Sequence, residues 1–309
     1  MYDLIILGGG PAGLTATVYA LRKRLNVLLI TRDLGGKTNY RLQLPFVEKH
    51  LVITGEEVVS RFANEIEYLE FARVFDKAEK VERIQGGYHV ATRQGQGYDA
   101  HTLLVATGAF GRRLDVPGEK EFMMRGLCYS AVSYAPLFIE RDTCVIGDAG
   151  LALRSTAELA RIARKVTLVA PTHGELDSPM GRKVLASPNV EVLEGYQVQE
   201  VIGDEYARRI RIRRNGSDRA EHPAGDRVLE ADAFFVEVDL VPQSEIVAGL
   251  VERDERGRIK VDARNRTSAE GIFAAGDVTD VIAEQVLISV GEGAKAALAA
   301  YEYLLEREG

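Results

Sequence analysis

The sequence predicts an α/β protein made of two Rossmann-like, three-layer nucleotide-binding domains. Three features predict it. An apolar run of strand length opens directly into a glycine turn at residues 8–13, and a second strand and turn of the same design begins near residue 143. Near the end, an apolar strand closes in Gly276-Asp277 and is followed by a long helix-like segment.

Residues 2–8 read as the first strand and residues 14–24 as an apolar helix, with Gly8-Gly9-Gly10-Pro11-Ala12-Gly13 between them. Gly8 suits the tight turn, Gly10 lets the backbone approach a pyrophosphate, and Gly13 allows close packing of helix on strand. The pyrophosphate is then expected against the free N–H groups and positive end of the helix. A glycine pattern alone is weak evidence. Placed between a strand and a helix at this spacing, it predicts a bound dinucleotide.

Residues 26–31 read as a second buried parallel strand. Asp33 follows, with two readings: an acceptor for a ribose hydroxyl, or a turn residue. Gly35-Gly36-Lys37 forms a flexible turn that can lie against the cofactor. A capped helix is expected over 54–69 and an antiparallel hairpin or meander over 74–99. The strand over 102–108 ends in the small-residue turn Ala106-Thr107-Gly108, which suits close backbone contact with something flat or extended. Residues 112–118, with Pro117, read as an outgoing linker and residues 239–243 as its returning counterpart. The predicted division is therefore a discontinuous domain of residues 1–113 and 244–309, with residues 114–243 inserted.

Inside the insert, residues 143–152 read as strand and turn, 155–164 as helix and 165–170 as the next strand. The arginine-rich run over 208–214 alternates with Ile210 and Ile212 and precedes Asn215-Gly216, so it reads as a strand with one solvated face rather than a basic binding patch. The final helix is expected over 283–307, its N-terminus near Gln285 and Val286. Gly291 and Gly293 inside it predict a close approach by cofactor or another helix.

A length of 309 residues accommodates two domains. The net charge of -7 argues against nucleic-acid binding, since phosphate recognition needs a basic face. No apolar run reaches the ~20 residues that span a bilayer, and the N-terminus lacks a signal-peptide layout, so a cytoplasmic location and no membrane association are expected. Cys128 and Cys144 are the only cysteines, giving no disulfide framework and no zinc spacing. They read as small buried hydrophobes, with a Cys128–Cys144 redox pair as the sharper alternative.

Together, Gly8 to Gly13, Gly35-Gly36, Ala106-Thr107-Gly108, the segment 126–138, the turn at Gly147 and the segment 271–286 resemble the low-molecular-weight thioredoxin reductases, flavoproteins of the pyridine nucleotide-disulfide oxidoreductase class. The resemblance implies FAD in the discontinuous domain, a pyridine-nucleotide domain inserted in it, a homodimer and domain rotation during turnover. It also implies that Asp277 contacts the ribityl chain and that Gln285, with the N–H of Val286, contacts the flavin's pyrimidine edge.

The departures from the family pattern matter equally. Lys37 stands where the family has Gln, and Glu284 where it usually has Arg. Where the family carries its Cys-x-x-Cys dithiol, this chain has Ser130-Ala131-Val132-Ser133, and a hydroxyl can form neither a thiolate nor a disulfide. Ala149 replaces a glycine of the second turn, and Val169-Ala170-Pro171-Thr172 lacks the arginines that would pair a 2′-phosphate. Weak or absent NADPH use is expected; His173 and Glu175 read as loop residues rather than ligands. The leading expectation is an FAD oxidoreductase exchanging electrons with ferredoxin, another protein, a small molecule or a second flavin. The alternatives are a disulfide oxidoreductase, with Ser130 and Ser133 standing for natural or engineered cysteine replacements or with Cys128 and Cys144 as the pair, and a flavin-binding module without turnover.

Overall fold

The computed structural model describes residues 1–40, 42–46, 56–216 and 226–307. The chain divides into two compact units: Met1–Asn39 with Val52–Phe110 and Val241–Gly309, and Tyr40–Leu51 with Gly111–Leu240.

The first unit opens with strand β1 (Tyr2–Leu7), helix α1 (Pro11–Arg22) and strand β2 (Val27–Thr31). Leu4 and Ile6 pack in the layer that holds α1, while Ile5 and Leu7 pack in the opposite layer. A continuous apolar run is what a parallel strand covered on both faces requires. Pro11 fits the first helical position, where no N–H is needed. After α2 (Glu56–Glu67) come β3 (Arg73–Phe75), β4 (Ala78–Ile84), β5 (Gly87–Thr92) and β6 (Gly97–Val105). The expected start of α2 at Thr54 lies outside the described residues.

Two expected elements are redrawn here. Val74 and Phe75 leave the meander: they belong to β3, which pairs in parallel with β2, Ile30 opposite Val74. The strand expected over 102–108 is the back half of β6, whose front half closes the antiparallel meander with β5. Along β6 the burial changes from alternating to continuous where it pairs with β1 inside the parallel sheet. One strand therefore carries two periodicities, and in the sequence these look like two strands.

β7 (Ala109–Gly111) leads out of the first unit. The second unit contains α3 (Glu119–Phe122), β8 (Leu127–Cys128), α4 (Ala131–Tyr134), β9 (Asp142–Ile146), α5 (Gly150–Leu159), β10 (Lys165–Ala170), α6 (Pro179–Leu185), β11 (Val190–Glu194), β12 (Tyr196–Gly203), β13 (Ala207–Arg214), β14 (Asp226–Glu230) and β15 (Ala233–Val236). Its parallel sheet has the order β11-β10-β9-β15-β8, and β12-β13-β14 form an antiparallel sheet. The helix expected over 155–164 starts earlier, at Gly150, directly after the glycine turn, and ends at Leu159. On β13, Ile210 and Ile212 are buried, while Arg211 pairs with Glu200 at 2.7 Å and Arg213 with Asp226 at 2.6 Å. Carboxylates on neighbouring strands thus pair with two arginines of the run.

The chain returns through β16 (Leu240–Pro242), paired with β7, and completes the first unit with β17 (Ile272–Ala274) and α7 (Val286–Arg307). β17 joins β6 in parallel, giving the order β3-β2-β1-β6-β17. Each unit therefore sets its first glycine-turn strand in mid-sheet, the arrangement that leaves a helix N-terminus at the carboxyl edge. α7 begins at Val286 rather than 283. It crosses α1 so closely that a Cβ on Gly293 would lie 2.1 Å from the carbonyl oxygen of Ala12, whereas one on Gly291 would meet nothing within 4 Å. The expected close approach by another helix holds for Gly293, and among the described residues no helix approaches Gly291 in this way.

Candidate functional site

The first glycine turn is fixed by its neighbours. Gly8 has φ +107°, and a Cβ there would lie 2.4 Å from the carbonyl oxygen of Ala106; one on Gly13 would lie 1.8 Å from that of Gly8. Gly9 is equally constrained, its Cβ falling 2.3 Å from the carbonyl oxygen of Asp33. Sequence reasoning passed over Gly9; the run of three glycines is the signal that could have found it. Above Gly10 the space is open, with nothing among the described residues within 4 Å of a Cβ. α1 starts there with no side-chain cap and no acidic residue in its first turn. Its leading N–H groups are therefore without a side-chain acceptor, the condition under which a helix start takes an anion.

A second glycine turn nests on the first. The Gly35 N–H donates to the Gly9 carbonyl at 2.7 Å, and a Cβ on Gly36 would come within 3.0 Å of the Cα of Gly10. Asp33 Oδ1 accepts from the Gly36 N–H at 2.8 Å and from Asn39 Nδ2 at 3.2 Å, so this carboxylate organises the turn. A ribose contact is left to its other oxygen. Lys37 forms an ion pair with Asp277, whose other oxygen accepts from Ser289 Oγ at 3.3 Å. Gly276, at φ +77°, brings this carboxylate close to α1, a Cβ there lying 3.1 Å from that of Ala12. Gln285 immediately precedes the first residue of α7, Val286. Thr107 Oγ1 donates to the Gln243 carbonyl at 2.6 Å, and the Gln243 N–H donates to the Gly108 carbonyl at 2.8 Å, tying outgoing chain to returning chain.

The fold thus gathers Gly8 to Gly13, Gly35 to Lys37, Ala106 and Gly276-Asp277 around the start of α1. This set fits FAD: an open approach over Gly10, an uncapped helix start for a pyrophosphate, and a carboxylate directly after Gly276 for a polyol.

In the second unit, Ser130 Oγ lies 2.9 Å from Ser133 Oγ at the start of α4. Beneath them the buried Glu237 accepts from the Ala131 N–H at 2.6 Å and from Ser155 Oγ at 3.1 Å. Both cysteines are free and buried. Burial pushes the Cys128 thiol up to about 12 and raises that of Cys144 as well. A Cys128–Cys144 pair is ruled out by register. Cys128 sits opposite Phe235 and Cys144 opposite Phe234 on the two sides of β15. The two Cα atoms are thus roughly 10 Å apart at ordinary strand spacing, and their side chains point to opposite faces of the sheet.

The second glycine turn differs from the first. Gly147 keeps its role: φ is +147°, and a Cβ would lie 2.4 Å from the Glu237 carbonyl oxygen. Beyond it, Asp148 Oδ2 accepts from the Thr172 N–H at 2.9 Å and from Thr172 Oγ1 at 2.7 Å. Gly174, at φ +48°, packs its backbone on the Asp148 carbonyl, which accepts from the Glu175 N–H at 2.8 Å. A Glu175 carboxylate oxygen stands 3.4 Å from where a Cβ on Gly150 would be, at the first residue of α5. His173 lies between Glu194 and Asp177, 3.0 Å from each. Hydrogen bonding to Glu194, then to Asp177, raises its pKa above the ordinary histidine value.

Among the described residues no helix is long and apolar enough to cross a membrane, and no group of three or more His, Cys, Asp or Glu is arranged to hold a metal.

Two dinucleotide-type folds in one chain, one of them returning through both chain ends, define a flavin and pyridine-nucleotide architecture. The chain belongs to the pyridine nucleotide-disulphide oxidoreductase family, whose profile matches residues 2–293; this is an FAD-binding family. Alkyl hydroperoxide reductase F of Staphylococcus epidermidis is 31% identical over 310 residues, covering 98% of this chain and 59% of that protein. The Staphylococcus aureus protein of the same name is 32% identical over 309 residues with the same coverage. The chain therefore spans 59% of the length of these relatives. Among solved structures, thioredoxin reductase from Streptococcus pyogenes superposes with a TM-score of 0.85 at 29% identity, over 99% of each chain. That from Giardia duodenalis gives 0.85 at 28% identity, over 98% of this chain and 99% of its own.

Proposed function

We propose that this chain is an FAD-containing oxidoreductase of the thioredoxin reductase type whose electrons do not come from NADPH. The observation that carries the reading is the contrast between two turns of one design. Both start an uncapped helix, but the first is open above Gly10, whereas the second has a Glu175 carboxylate oxygen beside Gly150 and its Asp148 tied to Thr172.

Residues 1–113 and 244–309 hold FAD in this proposal, and residues 114–243 form a degenerate pyridine-nucleotide domain. When bound, FAD supplies the redox centre. Gly8, Gly10, Pro11, Ala12 and Gly13 admit the pyrophosphate to the N–H groups of α1, with Gly35 and Gly36 as the facing wall. Asp277, held by Lys37, accepts from the polyol, and Asp33 offers its second oxygen to the ribose. The backbone of Ala106, Thr107 and Gly108 lies along the cofactor. Gln285 and the N–H of Val286 orient the pyrimidine edge, where the positive end of α7 favours negative charge. The partner is ferredoxin, a thioredoxin-like protein or another reduced donor, or a second flavin in the second unit. The family likeness supports a homodimer, and the composition supports a cytoplasmic location.

The test is anaerobic. Photoreduced ferredoxin is expected to bleach the visible flavin band and NADPH is not; rapid bleaching by NADPH, or a protein that stays colourless after incubation with FAD, overturns the proposal. Bound FAD that no donor reduces would instead identify a flavin-binding module without turnover. One observation favours a second reading, disulfide oxidoreduction. The 2.9 Å contact between Ser130 and Ser133 preserves the spacing of a dithiol, so natural cysteines at these positions would restore that chemistry.

A further inference from the structure

We propose that Asp148 and Glu175 are specificity-determining residues that close the second glycine turn to anionic dinucleotides, NADPH, NADH and FAD alike. This rests on the proposed function for its consequence. With the second unit closed to nucleotides, a second flavin drops out as the electron partner, and the donor is a protein or small molecule acting without that turn.

A Rossmann turn holds a dinucleotide by presenting helix N–H groups and positive potential to a doubly charged pyrophosphate. At α5 a carboxylate already stands beside that position. Glu175 brings a carboxylate oxygen over Gly150, at the positive end of a ten-residue helix. Asp148 is the residue directly before Ala149, which caps the helix. A carboxylate at a helix start is favourable for the protein, and the same charge opposes an incoming phosphate.

The Asp148 carboxylate cannot withdraw without undoing the loop, and the backbone that carries Glu175 is fixed to it. Asp148 is held by the N–H and hydroxyl of Thr172, and the Glu175 N–H is held by the Asp148 carbonyl. The segment 171–178 is fastened at further points. Asn215 Nδ2 donates to the Pro171 carbonyl at 2.5 Å, and His173 bridges to Glu194. The left-handed backbone of Gly174 lets the segment lie flat on Asp148, where a side chain would collide. The Arg182 guanidinium donates to the Asp177 carbonyl, and Arg154 is exposed beyond the first turn of α5. Both helix starts lack a side-chain cap and an acidic residue in the first turn; they differ in the space beside them, which among the described residues is open over Gly10 and holds a Glu175 oxygen beside Gly150.

The test measures binding, not turnover, on the FAD-loaded full chain. Equilibrium dialysis against NADPH and NADH is expected to show no saturable binding to the wild-type protein, and denaturation is expected to release one FAD per chain. Asp148→Asn with Glu175→Gln removes both charges and keeps the hydrogen-bond acceptors; it is expected to bind NADPH at least tenfold more tightly. Glu175→Gln alone, at an exposed position, serves if the double variant does not fold, with a smaller gain in the same direction. Micromolar binding of NADPH to the wild type, two FAD per chain, or no gain in folded variants with unchanged thermal unfolding would overturn the inference. Its failure is separable from that of the proposed function. NADPH that binds without bleaching the flavin removes the closed turn and leaves the donor reading intact. Absent binding together with a flavin that ferredoxin cannot reduce does the reverse.

Discussion

Ser130 Oγ and Ser133 Oγ lie 2.9 Å apart across the first turn of α4, three residues apart in sequence. Sulfur atoms at these positions need only a small adjustment to reach the ~2.05 Å disulfide bond length. Ser130→Cys with Ser133→Cys is therefore expected to form a disulfide on oxidation. Thiol titration of the denatured variant should give two more reactive groups after reduction than before. In the wild type the count should be the same with and without reductant, because Cys128 and Cys144 cannot pair. Equal counts in the two states of the double variant would show that the hydroxyl contact does not preserve dithiol geometry.

The two glycines of α7 predict opposite responses to the same substitution. Gly291→Ala adds a methyl where nothing lies within 4 Å and should stabilise by up to ~1 kcal/mol through helix propensity. Gly293→Ala puts its methyl 2.1 Å from the Ala12 carbonyl oxygen, forcing α1 and α7 apart. Overpacking of this kind costs ~1–3 kcal/mol, which outweighs the propensity gain. Chemical denaturation of both variants checks the sign; a Gly293→Ala protein as stable as Gly291→Ala would mean that the helices do not cross this closely.

Lys37 and Asp277 should act together on cofactor binding. Asp277 is the more enclosed partner, its side chain 10% exposed against 43% for Lys37. Solvent screening at Lys37 keeps the stability loss in Lys37→Met to about 1 kcal/mol. Asp277→Asn should weaken FAD binding by roughly tenfold, the effect of one charge-assisted hydrogen bond. Fluorescence titration of the apoprotein with FAD measures both variants, and unchanged affinity in Asp277→Asn would remove this residue from the polyol contact.

His173 makes the fastening of the segment 171–178 dependent on pH. Its pKa is raised by Glu194 and Asp177, so the folded protein holds the proton more tightly than the unfolded chain. The stabilisation is complete below the ordinary histidine value of 6.5 and is lost as pH rises through the raised value. The protection factor at Gly174, the intrinsic exchange rate divided by the observed rate at each pH, should accordingly fall over that interval, and His173→Gln should abolish this fall. A protection factor that stays constant over the interval in the wild type would mean that His173 does not fasten the segment.

The glycine turns and the first parallel strands were legible in the sequence because each depends on residue type over a short span. A turn that would place a Cβ 1.8 Å from a carbonyl admits only glycine, as at Gly13, and a strand buried on both faces shows as an unbroken apolar run, as in β1. Local pattern misled where one element serves two environments. β6 changes from alternating to continuous burial along its length, and α5 starts at Gly150 because its turn, not its apolar periodicity, fixes the first residue.

The sequence by itself determined the class of fold, the serines at positions 130 and 133, and a segment 169–172 without arginine, since each is a matter of which atoms the chain possesses. Only the tertiary structure decided how those atoms meet. It separated Cys128 from Cys144 by setting them on opposite faces of one sheet, and it gave Asp33 a place in its own turn. It also joined Lys37 to Asp277 across 240 positions of chain and brought Glu175 back over the start of α5. Contacts between residues distant in sequence depend on register and loop path, and no short-range pattern encodes either.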